Sequence, residues 1–102
     1  MGKLTFIFND EKLKLAGKTE DELLKPMRAY SKDNGIRETS KGVFELNNDS
    51  AFALLGGFVA DITDEDKSYV TFLDKWTLEI NGTTDDCIED TLEWYREEGI
   101  AI

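Results

Sequence analysis

Histidine is absent from this 102-residue chain, cysteine and proline occur once each, and no apolar run approaches the length of a membrane span. Without histidine the chain lacks the commonest general base near neutral pH, the usual activator of a Ser or Cys nucleophile, and the commonest zinc ligand. The lone Cys87 cannot close an internal disulfide, so nothing in the framework calls for an oxidising compartment. The longest apolar stretches, residues 51–55 and 57–60, fall far short of a span of about 20 residues, and residues 1–20 carry no signal-peptide core. Asn48-Asp49-Ser50 and Asn81-Gly82-Thr83 match the glycosylation sequon, but without an export signal they read as turns. The expectation is a cytoplasmic protein with no membrane attachment.

Positive charge is scarce in the second part of the chain. Of twelve Lys and Arg, nine precede Val43 and face seven acids there, whereas the remaining three are set against fifteen acids, for a net charge of −10. A field of one sign attracts the opposite sign over about a Debye length, roughly 8 Å at physiological salt. The chain is nevertheless built to fold. Its 40% hydrophobic content and eleven aromatics (six Phe, three Tyr, two Trp) supply one core. At this length a single domain spanning 1–102 is expected, burying about 60 to 70% of the surface of the unfolded chain.

Residue pattern then predicts the elements. Leu4, Phe6 and Phe8 alternate as a strand, Asn9-Asp10 reads as a turn, and Glu11 to Leu15 alternates as the returning arm of a hairpin. Thr19-Glu20-Asp21-Glu22 has the form of a capping box, so a helix begins there and stops at Asn34-Gly35, with Pro26 as an interior obstacle. Val43 to Leu46 is a short strand. Residues 51–62 admit one helix, with Phe52, Leu55, Val59 and Ile62 in a stripe, or a short helix to Gly56 followed by a strand from Phe58 to Thr63. Two interior glycines cost about 1 kcal/mol each, which favours the second. Tyr69 to Leu73 and Trp76 to Ile80 read as a hairpin turned at Asp74-Lys75, and Thr83 or Thr84 starts a last helix over about residues 85–98, ended by Gly99. The expected fold class is α+β: a mostly antiparallel sheet of two hairpins plus a short strand, packed with two main helices and one short helix.

No constellation identifies a reaction. Cys87 opens the last helix, where the helix dipole lowers a thiol pKa, but Asp85, Asp86, Glu89 and Asp90 oppose that shift and the residue projects to the apolar arc, so it reads as a core thiol. Asp61, Asp64, Glu65 and Asp66 suggest calcium, yet a loop frame begun at Asp64 puts Tyr69 where glycine is needed and Lys75 where glutamate is needed, so they read as a solvated turn. Gly56-Gly57 lacks the rest of either phosphate-binding loop. Direct nucleic-acid binding is disfavoured by the net charge. The expectation is therefore no catalytic residue, no metal and no cofactor.

What remains is the last helix. On a helical wheel Asp85, Asp86, Glu89, Asp90, Glu93 and Glu97 share one arc, interrupted by Arg96 alone, opposite Cys87, Ile88, Thr91, Leu92, Trp94 and Tyr95. Like charges at i,i+4 disfavour a helix by about 0.2 to 0.5 kcal/mol per pair, and a merely solvated face usually mixes signs. These six acids are the candidate binding residues for a basic protein partner. Carboxylates four residues apart rise about 6 Å along a helix, comparable to phosphate spacing along a nucleic-acid strand, which is the logic of small acidic inhibitors of nucleic-acid enzymes. The alternative is an interaction or scaffold domain whose acidity serves solubility. Oligomeric state and sheet order are left open by the sequence.

Overall fold

A computed structural model describes residues 1–101. Strand β1 (Gly2–Phe8) alternates as its sequence suggests, with Leu4, Phe6 and Phe8 buried and Ile7 47% exposed on the opposite face. It lies at the centre of a five-stranded sheet in the order β2-β3-β1-β4-β5, where β2 is Arg37–Ser40, β3 Val43–Leu46, β4 Leu73–Ile80 and β5 Thr83–Asp86. Every pairing is antiparallel. With helices α1 (Asp10–Ala16), α2 (Glu20–Asn34), α3 (Ala51–Glu65) and α4 (Cys87–Glu97), this is an α+β fold.

Several elements differ from the sequence reading, each for a local reason. Residues 10–16 are a helix, not the arm of a hairpin: Asn9 caps it by accepting from the Lys12 amide at 3.0 Å, and Gly17 ends it at positive φ. That cap outweighs a five-residue alternation, and Leu15 is left 89% exposed while Leu13 is buried. Thr19 caps α2 through the Glu22 amide, and the helix runs through Pro26. The carbonyl that Pro26 deprives of a donor belongs to Glu22, and both residues are exposed, where losing one helical bond costs least. Residues 51–65 form one helix, so the strand expected over Phe58 to Thr63 does not exist. Ala51, Leu55, Phe58 and Ile62 bury one stripe, and Tyr30 Oη donates to the Leu54 carbonyl at 2.6 Å, a docking that outweighs the propensity cost of two glycines.

The second expected hairpin is also replaced. Asp74 and Lys75 lie within β4, and the register against β1 shifts between Ile7 and Phe8, so Asp74 is the extra residue of a bulge. The bulge lets Leu73 and Trp76, three positions apart, both face the core. Residues 69–72 are a single 3-10 turn leading into β4. The true hairpins are β2–β3, turned at Lys41-Gly42, and β4–β5, turned at Asn81-Gly82. Gly42 has φ +78°, and a Cβ there would sit 2.8 Å from the Phe6 carbonyl oxygen, so no other residue fits. Asn81 (φ 50°) and Gly82 (φ 86°) are both left-handed, as the type I′ turn of a two-residue hairpin requires.

The core is aromatic. Phe6 contacts the rings of Phe8, Phe44, Phe58 and Trp76 with centroids 5.5 to 6.3 Å apart. Leu4, Phe6, Phe8, Phe44 and Leu78 are buried, while Ile80, Ile88 and Leu92 pack against the core half-buried. Helices α2, α3 and α4 cover this face. The opposite face is bare and polar: the register lines up Arg37, Glu45, Lys3, Glu79 and Thr84 in one cross-strand row of alternating charge. Opposite signs on neighbouring strands stabilise such a row without a covering layer. Among the described residues, no helix is long and apolar enough to cross a membrane.

Candidate functional site

The division of charge along the chain becomes a division in space. Helix α2, bearing Lys25, Arg28 and Lys32, packs near the β2 edge of the sheet, and α4 packs on β4 and β5 at the other edge. On the β2 side some of the charges are paired: Arg28 bonds Glu38 at 2.8 Å and Asp21 at 3.0 Å, and Lys41 adds to Asp21 at 3.7 Å. Arg28 accordingly holds the Asp21 and Glu38 carboxyls below the usual carboxylate range. On the β5 side they are not.

The structure places Asp85 and Asp86 on β5, where the sequence reading had the first turn of the last helix. Asn81-Gly82 turns the chain back into a short strand first, and the helix begins only at Cys87. Strand runs into helix without a loop, so Asp85 and Asp86 still lie beside Glu89, Asp90 and Glu93. Asp86 is the N-cap of α4, its carboxylate accepting from the amides of Ile88 at 3.0 Å and Glu89 at 3.1 Å, so it anchors the helix as well as charging the surface. Asp90 is the focus of the group: it is exposed, yet desolvation by the surrounding protein, then the fields of Asp85, Asp86, Glu93 and Glu89, push its carboxyl above the ordinary carboxylate value. Glu97 is exposed farther along the helix. Five of the six sequence-derived residues are thus brought together, and the sixth extends the surface.

None of the six carboxylates has a salt-bridge partner among the described residues. Beside them a hollow of about 220 Å³ is lined by Asp74, Asp86, Ile88, Glu89, Leu92 and Arg96. Asp74 was missed by sequence reasoning because it was assigned to a turn; the bulge in β4 presents it here, with Asn9 Nδ2 donating to its carboxylate at 3.0 Å. Arg96, which interrupts the acidic arc, lines the same hollow. The other side of α4 is structural. Cys87, Thr91 and Tyr95 are buried at helical spacing, and burial, then Asp90, Asp86 and Asp85, pushes the Cys87 thiol up to about 12, so at neutral pH it is a protonated core residue.

Among the described residues, no group of three or more Cys, Asp or Glu side chains is arranged to hold a metal ion. Comparison with protein-family models, with curated proteins and with solved structures finds no match to this chain.

Proposed function

We propose that this chain is an acidic protein-binding module whose β5–α4 surface docks on a basic surface of a partner protein, and that it acts as an inhibitor or regulator of a protein that binds nucleic acid. The observation that supports this reading is the convergence of Asp85, Asp86, Glu89 and Glu93 on Asp90 with no basic side chain in salt-bridge range among the described residues. Clustered like charge costs folding energy, and a surface serving only hydration mixes signs, as the bare face of the sheet does. A partner carrying Arg or Lys recovers that cost on binding, and the same field accelerates encounter.

A second reading, a general interaction or scaffold domain, has one observation in its favour: Phe52 is 64% exposed beside Met1 and Ile80, an apolar end rimmed by Asn47, Asn48, Asp49 and Asn81. The two readings part in one experiment. Proteins captured from the source cell by the wild-type chain at low salt are compared with those captured by a Glu89→Lys/Glu93→Lys variant and by a Phe52→Ser variant. The docking reading expects a basic partner lost at high salt, lost with the charge reversal, and displaced by duplex DNA. A partner retained by the charge-reversed variant but lost with Phe52→Ser assigns the function to the apolar end instead.

A further inference from the structure

Of the acids whose sequence suggests a solvated turn, three lie within α3 and Asp66 is its C-cap. Asp61, Asp64 and Glu65 occupy the last turns of α3, where the helix dipole is negative and no basic residue of the helix compensates. Asp61 and Asp64, with Ala60 and Thr63, wall a hollow of about 330 Å³ whose remaining side is the half-buried indole of Trp94 on α4. That volume lies at the lower end of small-ligand clefts, about 300 to 1,000 Å³. A cation already sits at its margin. Lys67 Nζ is 5.4 Å from the Trp94 ring and 5.8 Å from that of Tyr95, donates to the Asp64 carbonyl at 2.7 Å and pairs with the Asp64 carboxylate at 3.4 Å, a pairing that an incoming side chain would have to replace. The aromatic pair and the end of α3 therefore bind an ammonium group within this molecule, which identifies the chemistry of the place: a flat π face beside carboxylates, attractive to positive charge.

We infer that the hollow between α3 and α4 seats an arginine side chain of the basic partner, its guanidinium stacked on Trp94 and paired with Asp61 and Asp64. This rests on the docking reading above. Arginine fits better than lysine because a planar guanidinium stacks on indole and presents a fork to carboxylates, whereas an ammonium is a compact and strongly hydrated point charge. The seat also adjoins the proposed surface: Trp94 is at the edge of the apolar arc, four residues after Asp90 and three before Glu97, so it borders the acidic arc of α4. Lys67 acts as an internal occupant of the aromatic face, which the incoming side chain displaces.

The test is a titration of the ¹⁵N-labelled full chain with hexa-arginine, and separately with hexa-lysine, following the two indole N–H signals. Trp76 is fully buried and serves as the internal reference. The expected result is a saturable shift of the Trp94 signal with hexa-arginine, a weaker one with hexa-lysine, and none at Trp76. Replacing Trp94 by Leu should weaken hexa-arginine binding about two- to fivefold, the range of an exposed cation–π contact. The Asp61→Asn/Asp64→Asn variant, which keeps shape and packing, should weaken it as well. Lys67→Gln should tighten binding more than Lys75→Gln, which removes the same charge from the bare face of the sheet. A motionless Trp94 signal while the Glu89 and Glu93 amides shift overturns the seat and leaves the docking reading standing. A Trp94 shift whose affinity is indifferent to Glu89→Lys/Glu93→Lys upholds the seat and overturns the α4 surface. Equal responses to the two peptides, or to the two lysine variants, overturn the assignment to arginine and to Lys67 displacement respectively.

Discussion

Tyr95 on α4 donates its phenol proton to the backbone carbonyl of Thr63 on α3, both residues being buried. The other two tyrosines do the same elsewhere: Tyr69 Oη donates to the Leu23 carbonyl at 2.7 Å, and Tyr30 Oη to that of Leu54 at 2.6 Å. Each of the chain's three tyrosines thus fastens one helix, or the 3-10 turn, to another helix, and α4 is held over the sheet by the Tyr95 tie. Replacing Tyr95 by Phe keeps the ring and removes the donor, so it should cost about 1 to 3 kcal/mol, the penalty of a buried group left without its partner. Urea midpoints check this; an unchanged midpoint would mean that the tie contributes nothing.

Alkaline pH should destabilise the fold. The Cys87 thiol, with an ordinary value of 9.0, is pushed up to about 12, chiefly by burial, and burial also raises the Tyr69 and Tyr95 phenols above their ordinary 10.0. Above pH 9 the unfolded chain loses protons that the folded chain retains, so the stability these groups contribute is complete below their unfolded values and is lost as pH rises through the folded ones. A Cys87→Ala variant should show a shallower decline between pH 9 and about 12 than the wild type. Equal slopes in the two proteins would contradict the assignment to the thiol.

Asp90 gives a prediction of the opposite kind. Its carboxyl is raised by partial desolvation and by its acidic neighbours, so its favourable contribution is complete below the unfolded value of 3.8 and is lost as pH rises through the folded one. At neutral pH the ionised group opposes folding. Asp90→Asn should therefore melt at a higher temperature than the wild type at neutral pH, with the gap closing in acid and narrowing as salt screens the cluster. A variant less stable than the wild type at neutral pH would show that the carboxylates are not in conflict.

Helix α3 should be improved by alanine. A Cβ at Gly56 would lie 3.8 Å from Leu78 Cδ2, and one at Gly57 3.5 Å from Tyr30 Oη, both ordinary contacts. Gly56→Ala and Gly57→Ala should each add about 0.5 to 1 kcal/mol through propensity and the lost freedom of the unfolded chain. Thermal melts decide this, and a lower melting temperature in either variant would mean that α3 sits closer to the sheet or to α2 than these distances say.

Core truncations should separate by burial. Phe6 is 4% exposed among four aromatic rings, so Phe6→Ala should cost about 3 to 5 kcal/mol. Leu92 is only half-buried, and Leu92→Ala should cost less than about 2 kcal/mol, below the range for a fully buried leucine. Denaturant midpoints falling equally in both would place Leu92 inside the core.

The α+β class, the strand of Leu4 to Phe8, the Thr19 cap and Gly35 stop of α2, and the strand of Val43 to Leu46 were all legible because each is encoded locally, by period, cap or turn residue. So was the acidity of residues 85–97. The type I′ signal at Asn81-Gly82 was present too, but two threonines and a helical pattern drew the reading past a four-residue strand. The β2 strand has four exposed residues and no apolar alternation to mark it.

Short-range chemistry by itself therefore determined which segments bury a face and where the unbalanced charge lies. Only tertiary packing decided that α3 continues through two glycines, because that choice depends on Leu78 and Tyr30 waiting on neighbouring elements. It likewise decided that Asp74 bulges rather than turns, because burying both Leu73 and Trp76 outweighs a regular ladder. The meeting of Asp61 and Asp64 with Trp94 is also tertiary, since no period along the chain relates the end of α3 to the flank of α4 that packs beside it.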